Sequence, residues 1–245
     1  MSPSDLALLA IVTLAFTTEA AIGFGATLIT VSLGSLLSPI DELLHAFVPC
    51  NVALSLVVAL RARRHVDARA LLVRILPMMA LGFPLGVLAF ARLPRPTLQL
   101  VFGLFVLALG SLEIVRMARA PVAERPLPRG LALALLFLGG VVHGAFATGG
   151  PPVVYVCGRT LGDKRVFRST LAALWLLLNV VLVVVYVRAG HVGAASLRRS
   201  ALLVPGLALG LVFGEIAHGR IPERTFRAAV FVMLTIVGVV LALRA

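Results

Sequence analysis

Gly144-Ala-Phe-Ala-Thr-Gly-Gly-Pro-Pro152 interrupts an apolar run that extends from 130 to 158. The run is longer than the about 20 residues a helix needs to cross the hydrocarbon core of a bilayer. The stretch inside it opposes regular helix, because glycines loosen the backbone and prolines remove N–H donors and clash with the preceding turn. A second over-long run, 5–37, carries its own interruption at Gly23-Phe-Gly25. Each run is therefore expected to form two helical pieces joined by an unwound or sharply kinked stretch. Such backbone is tolerated at membrane depth only where it is buried in protein or lines a cavity.

The rest of the chain has the same character. Of 245 residues, 60% are apolar and 13% charged, against about 25% charged in soluble domains; the mean hydropathy is +1.08. Too few polar groups remain to cover a soluble surface, which excludes a soluble enzyme, a disordered regulator and a disulfide scaffold. The composition predicts an all-α, polytopic membrane protein. Eight apolar segments follow one another, at 5–37, 43–60, 70–91, 97–116, 130–158, 166–187, 197–217 and 225–243. Met1-Ser-Pro-Ser-Asp5 has no basic region, so the first segment is expected to be a retained span and not a signal peptide.

The net charge is +12, and Lys164 is the one lysine. The arginines cluster between apolar runs without a basic stripe or an aromatic platform. They are expected to anchor loops at the interface, with no nucleic-acid partner; their field also attracts anions. They divide too evenly between the two sides to set the orientation. Cys50 and Cys157 lie in apolar runs and are expected to be small packing residues. No His, Cys and carboxylate set has metal-ligand spacing, and no cofactor is expected.

The chain also repeats. The offset from Asn51 to Asn179 places Pro77 on Pro205, Gly82 on Gly210, Gly86 on Gly214, Arg92 on Arg220, Pro94 on Pro222, Thr97 on Thr225 and Gly110 on Gly238. After small gaps Gly23 falls near Gly149 and Asp41 near Asp163. Matching Pro, Gly, Asn and Arg in an apolar chain predicts a duplicated four-segment unit: a first repeat at 1–118, a Pro/Arg-rich linker at 119–129 and a second repeat at 130–245. If every segment crosses once the repeats are parallel; if the two broken runs fold back, they are inverted.

One broken helix per duplicate points to a secondary transporter. A half-helix that starts at a break offers free N–H groups and a positive dipole end to an anion. The candidates are Gly23, Gly25, Ala26 and Thr27 at the first break and Thr148, Gly149, Gly150 and Pro151 at the second. The alternative is a kink that permits close packing. Asn51 and Asn179, paired by the repeat, either bind a substrate oxygen or tie helices together. Glu19, in the apolar run before the first glycines, and His143, before the second break, are candidates for carrying a proton, with structural hydrogen bonding as the alternative. Glu113 and Glu215 are expected at the interface, and Trp175 and Tyr186 as packing or interface anchors.

Ile22-Gly-Phe-Gly-Ala26 and Gly144–Pro152 resemble the two repeat motifs of the sulfite exporter TauE/SafE family of membrane permeases. Asp163-Lys-Arg-Val-Phe-Arg-Ser-Thr170 is similar to the stretch after the second motif. The resemblance covers nearly the whole chain, although the first motif lacks the longer glycine run often found there. It implies transport of small sulfur-containing anions such as sulfite or organosulfonates, in a bacterial-type inner membrane. It also raises Arg168 as a donor fork for substrate oxygens, against the alternative of an anchor that snorkels to the headgroups. The expected function is alternating-access export of such an anion, with proton coupling as conjecture. The partners are that anion and membrane lipid, with homo-oligomerisation open. A passive channel or accessory subunit is the runner-up. An intramembrane enzyme would need a nucleophile–base pair or a metal set, and the sequence presents neither.

Overall fold

The computed structural model describes residues 3–118, 127–161 and 163–220, together with 232, 235–236 and 238–243. Among them helix is the only regular secondary structure. The order is α1 (Pro3–Ile22), α2 (Ala26–Gly34), α3 (Ile40–Arg61), α4 (Ala68–Ala70), α5 (Leu76–Arg92), α6 (Arg95–Ala118), α7 (Arg129–Phe146), α8 (Gly150–Thr160), α9 (Lys164–Arg188) and α10 (Ala194–Arg220). A π turn, Leu71–Ile75, joins α4 to α5 in one continuous span. The predicted linker 119–129 is described only at 127–129. The eighth apolar segment, 225–243, lies largely outside the described residues.

Seven of the described helices are long and apolar enough to cross a membrane. Their outward faces carry large apolar side chains, including Leu60, Val73, Leu81 and Val187, each more than half exposed. In water such a surface would aggregate; in hydrocarbon it is the stable arrangement. The chain is thus a polytopic all-α membrane protein. Helices α3 and α9 are the central ones, with 61% and 50% of their span windows buried inside protein. Three helices, α3, α5 and α10, contain an internal proline, Pro49, Pro84 and Pro205.

The helix ends differ from the sequence expectation at one loop. The break expected at 38–42 is shorter, because α3 begins at Ile40 and takes Asp41 and Glu42 into its first turn. Acidic groups are favoured at that end of the dipole. They also reach other elements: Asp41 accepts from Arg95 at 2.7 Å and Glu42 pairs with Arg199.

The two over-long runs are hairpins. At 1.5 Å per residue α1 is about 30 Å long, enough to cross the core, whereas α2, with 9 residues, and α8, with 11, are too short to cross alone. Helix α2 returns along α1: the Thr18 methyl lies 3.4 Å from the Cβ position of Gly25, and a Leu8 methyl 3.5 Å from that of Gly34. Helix α8 returns along α7, with Val153 at Gly139.

Glycine rows set the remaining contacts. Helices α5 and α7 run parallel, and a Cβ at Gly82 or Gly86 would strike the carbonyl of Phe137 or Val141. A Cβ at Gly140 or Gly144 would likewise strike that of Met79 or Phe83. Helices α1 and α10 also run parallel, with Gly206 against Leu9, Gly210 against Phe16 and Gly214 against Ala20. Four-residue spacing of small residues places them on one helix face, which lets backbones approach where lipid supplies no hydrophobic drive. Helices α3 and α9 pack antiparallel: His45 stacks edge-on against Tyr186 at 4.7 Å, and the Asp67 N–H donates to Thr170 Oγ1 at 2.9 Å.

Candidate functional site

The two breaks are built alike. At the first, Gly23 adopts φ +90° and its N–H closes α1 on the Glu19 carbonyl at 2.7 Å. At the second, Ala147 adopts φ +52° and its N–H closes α7 on the His143 carbonyl at 2.7 Å. Each is a left-handed helix cap. The geometric counterparts are thus Gly23 with Ala147, and Gly25 with Gly149 as the N-caps of α2 and α8. The sequence offset instead places Gly23 near Gly149.

The breaks meet. The Phe24 ring lies 3.6 Å from the Cβ position of Gly150, and both breaks line one narrow pocket. Glu19, Gly25 and Thr27 enter it from the first hairpin; His143, Thr148, Gly149 and Gly150 enter from the second. Asn51 and Asn179 close it from α3 and α9. Ala26 begins α2 at its edge. Pro151 is in the first turn of α8, but its side chain lies outside the described residues.

The polar groups of the pocket are only partly satisfied. Glu19, 7% exposed, accepts the Ala26 N–H through Oε2 at 3.0 Å. A side chain of α1 thus caps the very amide that begins α2. His143, 1% exposed, plays the matching part: its Nδ1 accepts the Gly149 N–H at 3.2 Å. An accepting Nδ1 places the imidazole proton on Nε2, and that atom has no hydrogen-bond partner. Asn51 donates to Thr27 Oγ1 at 3.3 Å, leaving its Oδ1 unpaired. Asn179 is fully buried beside His143, and neither of its amide atoms completes a hydrogen bond. Buried polar atoms are normally paired. Four unpaired ones around a single pocket are the chemistry of a site for a polar ligand.

Trp175 is the pocket residue that sequence reasoning assigns elsewhere. Its indole stacks on His143, with centroids 5.5 Å apart and planes 7° from parallel, and its Nε1–H donates to the Gly23 carbonyl at 3.0 Å. One side chain of α9 therefore pins both breaks. Its position four residues before Asn179, on the same helix face, is the available signal. Tyr186 is buried against His45, and its hydroxyl has no partner.

Arg168 stands apart from the pocket. It lies beside Gly23, whose Cβ position is 3.2 Å from the Arg168 Cα, and its guanidinium donates to Glu215 at 2.6 Å. The Glu113 side chain is outside the described residues. Cys50 and Cys157 are buried free thiols. Among the described residues no group of three or more His, Cys, Asp and Glu is placed to hold a metal. A larger cavity of about 130 Å³ opens among Asp5, Thr30, Glu42 and Arg199, and Thr30 lies one turn beyond Thr27 on α2.

Comparison with known proteins agrees with this architecture. Residues 8–241 match the family model described as sulfite exporter TauE/SafE. The chain is 27% identical over 165 residues to the probable inner membrane transporter protein TsaS of Comamonas testosteroni, an alignment covering 67% of this chain and 68% of that protein. No solved structure matches. A multi-pass helical bundle whose sequence fits the family model over nearly its full length is a membrane transporter, and the chain belongs to the sulfite exporter TauE/SafE family.

Proposed function

We propose that the chain exports a small sulfur-containing anion, sulfite or an organosulfonate, across a bacterial inner membrane by alternating access. The observation that carries this reading is the meeting of two half-helix N-termini in one buried pocket with unpaired polar atoms. Amides at a helix start, the Nε2–H of His143 and the amide group of Asn179 are all donors suited to an oxyanion. The family description and the relative's name support transport, and the resemblance supports the sulfur-containing cargo.

The moving parts are the two halves, 1–118 and 130–245, related as inverted repeats. Each begins with a hairpin whose short second helix runs back along the first, and in the first half three spans follow it. Helix α1 leans on α10 of the other half, and α7 on α5, which ties each hairpin to the opposite repeat. The free space at the centre is about 10 Å³, enough for about one water. A space of that size, too small for the cargo, favours gated transport over an open channel. The larger cavity near Thr30 supplies an approach to it from one side.

The test uses the detergent-purified chain with a panel of sulfite, thiosulfate, methanesulfonate, sulfate and acetate. Cargo binding raises the unfolding temperature, and the sulfur oxyanions are expected to do so where acetate does not. In proteoliposomes the same anions should show saturable flux that depends on a proton gradient. Flux that grows linearly with concentration and ignores the gradient would establish a channel instead.

A further inference from the structure

Glu19 occupies the place that the proposed cargo needs. Its carboxylate takes the Ala26 N–H, the first amide of α2, at 3.0 Å. It is nine-tenths buried, and the space left beside it holds little more than one water. A sulfur oxyanion of four or more heavy atoms does not fit there unless a side chain leaves. Around this amide stand Asn179, fully buried with both amide atoms unpaired, and the unpaired Oδ1 of Asn51. Both residues line the pocket, Asn51 donating to Thr27 and Asn179 standing beside His143.

We propose that Glu19 is the resident anion of the pocket, and that each cargo anion displaces it and takes up one proton in doing so. This rests on the reading of the pocket as an anion site. The physical reason is charge. Two anions held a few ångström apart among buried side chains cannot both stay ionised. The hydrogen bond from the Ala26 N–H to Glu19 breaks, and one to a cargo oxygen forms. A proton from bulk water joins the released carboxylate. A monoanion such as methanesulfonate brings one negative charge as Glu19 loses one, so the net charge of the pocket is unchanged; a dianion such as thiosulfate leaves it one unit more negative, which makes retention of the proton still more necessary.

The groups that face Glu19 are consistent with this exchange. Helices α2 and α3 present Thr27 and Asn51, which carry no charge. Helix α7 presents His143, whose Nδ1 is engaged by the Gly149 N–H. On the α9 and α10 side Arg168 and Glu215 neutralise each other in an ion pair at 2.6 Å. No free cation among these facing groups balances a second anion, so the proton must do so.

The experiment is calorimetric titration of the detergent-purified chain with thiosulfate and with methanesulfonate, both ionised at every pH used. Each titration is run in two buffers of different ionisation heat. The expected result is uptake of about one proton per anion, with Kd rising about tenfold per pH unit while Glu19 is ionised. In Glu19→Gln an amide oxygen still accepts the Ala26 N–H, and uptake should vanish while Kd becomes flat with pH. Binding with buffer-independent heat in the unmodified chain overturns the exchange and leaves the anion site standing. Proton uptake that persists in Glu19→Gln also overturns it and transfers the role to His143. If neither probe nor sulfite binds, the anion-site reading fails and the exchange fails with it. Titration of the unmodified chain tests the exchange even where the variant does not fold.

Discussion

Replacing Asn179 by leucine separates a binding residue from a structural one by the sign of the stability change. Asn179 is fully buried and neither of its amide atoms is hydrogen-bonded. An unsatisfied buried polar group costs about 1–3 kcal/mol, and leucine has nearly the same shape without that cost. Asn179→Leu should therefore stabilise the empty protein by about 1–3 kcal/mol, at roughly 2–4 °C per kcal/mol for a chain of this size. Asn51→Leu is the control. It relieves one unpaired oxygen but forfeits the 3.3 Å bond to Thr27, so its net effect should lie within about 1 kcal/mol of zero. Both variants should lose the thermal shift caused by anions. Unfolding is followed with a thiol-reactive dye, because Cys50 and Cys157 are buried at 5% and 0% exposure and become reactive only on unfolding. An Asn179→Leu protein that melts several degrees lower and still responds to sulfite would refute the reasoning and make Asn179 a tie between helices.

Three further perturbations are decided by the same geometry. Trp175→Phe strands the buried Gly23 carbonyl that its indole N–H satisfies at 3.0 Å, and a loss of about 1–3 kcal/mol is expected by thermal unfolding; an unchanged melting temperature would mean that the indole does not hold the first break. Gly149→Ala places a Cβ 2.6 Å from the Gly139 carbonyl and 2.9 Å from the Met79 methyl, so even this small change should force α8 off α7 and lower both stability and binding. A bulkier Gly149→Leu cannot act on binding alone, and a Gly149→Ala protein with native melting temperature would contradict the close packing. Asp163, at the start of α9, is held below the usual carboxylate range by hydrogen bonds from the Val166 and Arg165 N–H groups. Its capping contribution is complete above the ordinary Asp range and is lost as pH falls through the depressed value. Amide exchange at Arg165 and Val166, corrected for intrinsic rate, should accelerate only under acid conditions. Acceleration already between neutral pH and the ordinary range would remove the cap as its cause.

What the sequence determined by itself is local and additive. Apolar runs of span length, a charge deficit and glycine–proline breakers depend on neighbours along the chain, so the membrane bundle and the two interruptions were legible without a structure. The offset that pairs Asn51 with Asn179 placed both on the helices that prove to be central, and both line the pocket. Helix starts were less legible at Ile40, where acidic residues that looked like loop belong to a first turn favoured by the dipole.

Only the tertiary structure decided which amides are free. Sequence reasoning offers the half-helix ends to an anion and names Glu19 and His143 separately, whereas packing joins the two sets, because Glu19 and His143 accept from the amides of Ala26 and Gly149. It offers Arg168 as a donor fork, but Glu215 engages that guanidinium away from the pocket. It takes Trp175 for an anchor, but the indole reaches across from α9 to the Gly23 carbonyl and stacks on His143. Each of these outcomes depends on two groups far apart in sequence competing for one partner in a space too small for both. Spacing along the chain records which groups are present, whereas packing determines which of them reaches the partner first.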